Sequence, residues 1–215
     1  MFPTLSFSQL QYELSLKAIA WDFKKRMFVS PSSTEFEWSP DGLEAADCDK
    51  GCKKDEPDKD SMDKLTYDLA MKNTIPGDWC SCGIYSTFRW SIVEGYVSAS
   101  PISAVMLTEA VGKTLIYRDG MKTYQLAIRA VIKPTFTHYV GRDNLMIGAA
   151  YQAADYFQVP IVDKKTALVV MDLWNIFLND DHKDWYQPES DEVRLMNEAD
   201  VLQYKEMFFA REEVA

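Results

Sequence analysis

The sequence predicts an α+β fold: a twisted antiparallel sheet or partial barrel, with helices concentrated in the C-terminal half. Three observations predict it. Apolar residues alternate with a period of two in Tyr12–Phe23 and again from Tyr124 to Ile132. Residues 102–134, ISAVMLTEAVGKTLIYRDGMKTYQLAIRAVIKP, read as one long antiparallel hairpin. Two later stretches carry helical composition and capping residues instead. With 215 residues, 47% of them hydrophobic and 13% aromatic, the chain is able to bury a sizeable core.

The elements follow in order. Tyr12–Phe23 and Arg26–Ser30 read as two strands joined by a basic turn at Lys24-Lys25, with Leu14, Leu16, Ala18 and Ala20 on one face. Pro31-Ser32-Ser33 and Ser39-Pro40-Asp41-Gly42 are turn signals. Residues 48–64 have almost no apolar content and read as a solvated loop. Residues 87–98, TFRWSIVEGYVS, fit a short helix or a strand equally well. In the hairpin, Asp119-Gly120 supplies the tight turn and Gly112 marks a bulge. On its return strand Tyr124, Leu126, Ile128, Ala130 and Ile132 share one face, and Thr123, Gln125 and Arg129 the other. Asn144–Phe157 is a predicted helix capped by Asp143 or Asn144. A second predicted helix runs over residues 190–214 with Ser190 as its N-cap and Leu195, Met196, Ala199 and Leu202 as its apolar stripe. The expected organisation is a domain over residues 1–165 and an acidic, aromatic-rich helical extension over 166–215.

The formal charge of −10 is uneven. From Asp172 onward twelve Asp and Glu stand against four Lys and Arg, so this last fifth carries most of the excess. An acidic chain is a poor generic binder of phosphate backbones, and no direct nucleic-acid contact is expected. The N-terminal stretch lacks a basic segment followed by an apolar one, so no signal peptide is expected. The apolar run Ala167–Leu178 is broken by Asp172 and Asn175 and is too short to span a bilayer. A cytoplasmic protein without membrane contact is the expectation, in a compartment where disulfides are rare.

Four cysteines fall in two close pairs, Cys48-x3-Cys52 and Cys80-x-Cys82. Two pairs of thiolates suit a tetrahedral structural Zn2+ site, closed to water and therefore not catalytic. Gly51 and Gly83 would let the backbone turn beside the metal, and Lys50, Lys53 and Lys54 would offset its charge. Two disulfides or four unrelated thiols are the alternatives. The predicted fold is thus a sheet with a zinc-stapled loop.

The order Val29-Ser30-Pro31, Trp38, Pro40, Leu43-Glu44-Ala45, Cys48, Cys80 and Cys82-Gly83-Ile84-Tyr85, followed by Gly112 and Gly120 in the hairpin and Val159-Pro160 beyond it, resembles a family of small uncharacterised bacterial and phage-encoded proteins with a C-x-C-G-I-Y motif. The resemblance covers roughly Tyr12 to Val162 and implies a metal site but no reaction. Members of that family carry a histidine shortly before the C-x-C. Here Met71–Asp78 contains none, and Cys52 would take its place.

The other candidates are weaker. The two histidines are His138 and His182. A Cys80–His138 pair has no local support, and His182 among Asp180, Asp181 and Asp184 reads as a solvated turn. Arg118, Lys122 and Arg129 read as exposed charges on the hairpin. The chain has no calcium loop, phosphate-binding loop, nucleophile elbow or zinc-protease helix. Aromatic and acidic residues crowd the C-terminal region, and Trp174, Trp185, Tyr186, Glu198, Asp200 and Tyr204 form a candidate interaction surface for a host protein with a basic face. The expected function is a zinc-stabilised protein-interaction protein, a phage-encoded acidic inhibitor of a host protein that handles nucleic acid. The alternative is an enzyme of unassigned chemistry in a cleft beside the central hairpin.

Overall fold

The computed structural model describes residues 13–31, 33–46, 76, 82–99, 102–134, 140–175 and 186–194. The fold is α+β. Eight strands form one sheet: β1 (Leu14–Asp22), β2 (Met27–Ser30), β3 (Ser33–Trp38), β4 (Leu43–Ala45), β5 (Ile84–Thr87), β6 (Ser103–Tyr117), β7 (Gly120–Ile132) and β8 (Ile161–Val162). Four helices are described: α1 (Trp90–Ala99), α2 (Val140–Phe157), α3 (Lys164–Leu173) and α4 (Asp191–Arg194).

The sheet curls back on itself. β1 pairs antiparallel with β6, β6 with β7 and β7 with β5. β5 then returns to β1 through the single pair Leu16↔Thr87, closing a ring of four strands. β4 and β8 pair with β7 farther along the same edge as β5, the latter as the only parallel pairing among the described strands.

Alternation built β1 as the sequence predicts. Leu14, Leu16 and Ala18 face one core, with Val93, Leu107 and Met171, while Ile19 faces the other, with Phe28, Met106 and Leu126. α2 closes the second core. Its Phe157 lies 5.4 Å from the Phe28 ring, and the Tyr156 hydroxyl donates to the Trp38 carbonyl. α1 and α3 cover the first core.

The hairpin departs from its predicted pattern in two places. Leu107 pairs with Ala130 and Thr108 with Ile128, so Arg129 is an extra residue in β7. That bulge reverses the alternation. Tyr124, Leu126 and Ile128 face one core, but Ala130 and Ile132 face the other. The bulge at Gly112 is present, with φ of 83° and a register shift between Val111 and Thr114. The turn, however, is Arg118-Asp119, and Gly120 is already the first residue of β7, paired with Tyr117. Gly120 is needed for a different reason: a Cβ there would lie 2.2 Å from the Ser86 carbonyl oxygen of β5.

Residues 87–98 resolve into the end of β5 and a helix. α2 starts at Val140, before the predicted caps Asp143 and Asn144. α3 is capped by Asp163, whose carboxylate accepts from the Thr166 amide at 2.8 Å and hydroxyl at 2.7 Å. Ser190 precedes α4 as predicted, and the Arg194 amide bonds its carbonyl. The rest of the predicted C-terminal helix lies outside the described residues. No described helix is long and apolar enough to cross a membrane.

Candidate functional site

The ring closes through one pair, so β1 and β5 diverge on either side of it. A strand edge left open must satisfy its backbone groups elsewhere. At one side of the bridge, Asn175 does this for Leu14. Its carboxamide oxygen accepts from the Leu14 amide at 3.1 Å, and its Nδ2 donates to the Leu14 carbonyl at 2.9 Å. Both residues are fully buried, and the side chain takes the place of a neighbouring strand residue.

At the other side, Lys17 does it for β5. Its Nζ donates to the Tyr85 carbonyl at 2.5 Å. The gap between the strands is a cleft of about 140 Å³, bounded by Lys17 of β1, Tyr85 and Ser86 of β5, and Ile92, Val93 and Tyr96 of α1. Burial pulls the Lys17 amine down to about 8. Among the described residues, no Asp, Glu, His or Cys belongs to the lining. The Ser86 hydroxyl is buried without a partner among the described residues. Tyr85, Tyr96 and Ile92 are large side chains that remain 40–51% exposed at the rim. This arrangement is able to hold a ligand.

The far wall, α1, is fixed by a clamp. Glu189 accepts from the Trp90 amide at 3.1 Å, capping the helix from a distant part of the chain, and from Arg89 at 3.0 Å. Arg89 also reaches Asp119 in the hairpin turn at 3.1 Å. The segment carrying Glu189 is anchored by Asp172 of α3. That carboxylate accepts from the Tyr186 hydroxyl at 2.9 Å, the Glu189 amide at 3.2 Å and the Ser190 amide at 2.7 Å. Burial nevertheless pushes Asp172 up to about 6, outweighing these three bonds, which favour its charged form.

The residues predicted from sequence are distributed as follows. Cys82 is half-buried at the edge of the core, just before β5. Its neighbour Gly83 has φ of 109°, and a Cβ there would meet the Lys122 stem at 2.6 Å. Cys48, Cys52 and Cys80 lie outside the described residues, as do His138 and His182. No cluster of three or more metal-ligating side chains occurs among the described residues. Of the candidate interaction surface, Tyr186 is 7% exposed and packs its ring 5.4 Å from Phe88, so its place is in the core. Trp174 is half-buried against the α1–α3 core at the end of α3. Trp185, Glu198, Asp200 and Tyr204 lie outside the described residues. Lys122 and Arg129 are not the exposed charges their position suggested. Lys122 is 2% exposed, and Arg129 pairs with the fully buried Glu109.

Sequence reasoning missed Lys17, Arg89, Asp172 and Asn175. The one local signal was the pair of polar interruptions, Asp172 and Asn175, in an otherwise apolar run.

No protein-family model, curated protein or solved structure matches the chain.

Proposed function

We propose that this chain is a zinc-stapled protein-interaction protein rather than an enzyme, and that its acidic C-terminal region engages a host protein with a basic surface. The observation that carries this reading is the anchoring of the segment at which that region begins. Tyr186, Glu189 and Ser190 are held by Asp172 and Arg89, while Asp191 immediately after them presents a side chain that is 91% exposed. An acidic segment launched from a fixed point is pre-ordered at its root, which lowers the entropic cost of binding. The charge asymmetry supports a basic partner, and a nucleic-acid-handling host protein would present such a surface. In this reading the protein is a phage-encoded inhibitor that acts in the cytoplasm.

The test is truncation after Arg194, which removes residues 195–215 and keeps the anchor. Capture of a basic protein from host lysate should be lost, while the unfolding midpoint stays within a few degrees. Capture that survives truncation, or that is insensitive to salt, removes the acidic region from the mechanism.

The zinc proposal rests on Cys48, Cys52, Cys80 and Cys82. Of these only Cys82 is described, half-buried beside Gly83. When bound, zinc would contribute folding free energy by joining the 48–52 loop to the start of β5. Elemental analysis should find about one zinc per chain, and Cys82→Ser should reduce that content. A fully folded, metal-free protein refutes it.

A further inference from the structure

The cleft between β1 and β5 is a site of a different kind from the acidic surface. An ammonium group has three donors, and Lys17 uses one of them on the Tyr85 carbonyl. Among the described residues, no carboxylate lines the cleft to offset its charge. A half-buried cation without a counter-charge is costly, and an entering anion offsets that cost.

The walls define the rest of the ligand. Ile92, Val93 and Tyr96 of α1 stand opposite the strands, and the Tyr85 and Tyr96 rings remain half-exposed at the mouth. An apolar cavity of about 150 Å³ takes one benzene ring, and the cleft here encloses about 140 Å³. A phosphate group would need several converging donors, such as a free helix N-terminus. The first amide of α1 is already taken by Glu189. The single cationic group among the described lining residues suits a singly charged anion instead.

We infer that the cleft binds a small organic monocarboxylate, with its carboxylate on Lys17 Nζ and a ring-sized apolar body between Tyr85, Ile92 and Tyr96. None of the described lining residues belongs to the acidic C-terminal region.

The experiment is an amide-resolved NMR titration of the full-length protein with sodium benzoate, benzyl alcohol and inorganic phosphate in parallel. Benzoate should produce saturating shifts in the millimolar range at Lys17, Ser86, Thr87 and Val93. Neither benzyl alcohol nor phosphate should saturate over the same range. Lys17→Gln keeps a donor for the Tyr85 carbonyl and removes the charge, so it should weaken benzoate by about tenfold or more, the loss of one charge-assisted hydrogen bond. Tyr96→Ala alters an exposed wall without touching the seam and should weaken benzoate severalfold. It carries the test if Lys17→Gln does not fold. Equal binding of benzyl alcohol or of phosphate overturns the inference. So does the absence of saturable benzoate binding, or unchanged affinity in whichever of the two variants is folded.

Discussion

Asn175→Ala isolates the way the ring is sealed. The substitution removes two hydrogen bonds, both to Leu14, and strands a buried amide and a buried carbonyl on the open edge of β1. Leu14 is 0% exposed and already pairs with Glu109 on its other side, so neither group has water or another strand within easy reach. Leaving a buried polar group unsatisfied costs roughly 1–3 kcal/mol. Partial relaxation lets some water in, so the expected loss for the pair is about 3 kcal/mol. Against a total stability of about 5–15 kcal/mol, that is a large fraction. Urea unfolding followed by tryptophan fluorescence should show a lower midpoint with an unchanged slope. The thermal midpoint should fall by roughly 6–12 °C for a chain of this size. Asn175→Asp sharpens the test. It keeps an acceptor for the Leu14 amide but sets a carboxylate against the Leu14 carbonyl. Its penalty relative to wild type should therefore shrink on acidification, when the acid regains a donor. A loss below about 0.5 kcal/mol for Asn175→Ala, the scatter of ordinary surface substitutions, would refute the claim that this carboxamide replaces a strand.

Two further predictions concern the same framework. Gly120→Ala places a Cβ 2.2 Å from the Ser86 carbonyl oxygen, a backbone atom that moves only if β5 moves, so it should cost about 2 kcal/mol or more in urea unfolding. Gly95→Ala, in α1 with nothing within 4 Å of the added atom, should instead be neutral or stabilising by up to about 1 kcal/mol. Asp172 titrates near 6 in the folded protein, above the value of about 3.9 for an unfolded aspartate. The folded state therefore binds the extra proton, and this group's contribution to stability falls as pH rises from about 4 to about 6, by about 3 kcal/mol. Asp22, Asp41 and Asp163 are shifted the opposite way, but they are common to wild type and Asp172→Asn, so the difference between the two unfolding curves isolates the effect. A difference independent of pH across that window would refute it.

The parts of the fold that were legible in the sequence are those set by local chemistry. β1 is readable because Leu14, Leu16 and Ala18 alternate with residues of the other face. The turn at Ser39–Gly42 is readable because Asp41 accepts from the Leu43 amide within the turn itself. The bulge at Gly112 is readable because a glycine inside a strand has few other uses. The Arg129 bulge was not legible, since its cause is a partner far away in sequence: buried Glu109 draws the arginine, and the alternation beyond it inverts. Nor was the true role of Gly120, which depends on β5 pairing beside it. The 87–98 stretch was ambiguous because its apolar residues satisfy either period. Glu189, a hundred residues on, supplies the cap that fixes it as a helix. Lys17 looked like an ordinary polar residue on an alternating strand, because nothing local reveals that β5 leaves the seam open there.

The open seam and the anchored acidic segment share one cause. β5 is four residues long because its end is taken over by the hairpin turn: the Phe88 amide and the Thr87 hydroxyl both bond the Asp119 carbonyl. The chain then has to leave the sheet, and α1 begins two residues later. β5 thus meets β1 in a single pair, and the remaining edge is sealed by side chains, Asn175 on one side and Lys17 on the other. α1 cannot be placed by the strand it has just left. It is placed by Glu189 and Arg89, and Glu189 is held in turn by the Asp172 carboxylate that fixes Tyr186 and Ser190. The wall of the cleft and the root of the acidic region are therefore two ends of one hydrogen-bonded clamp.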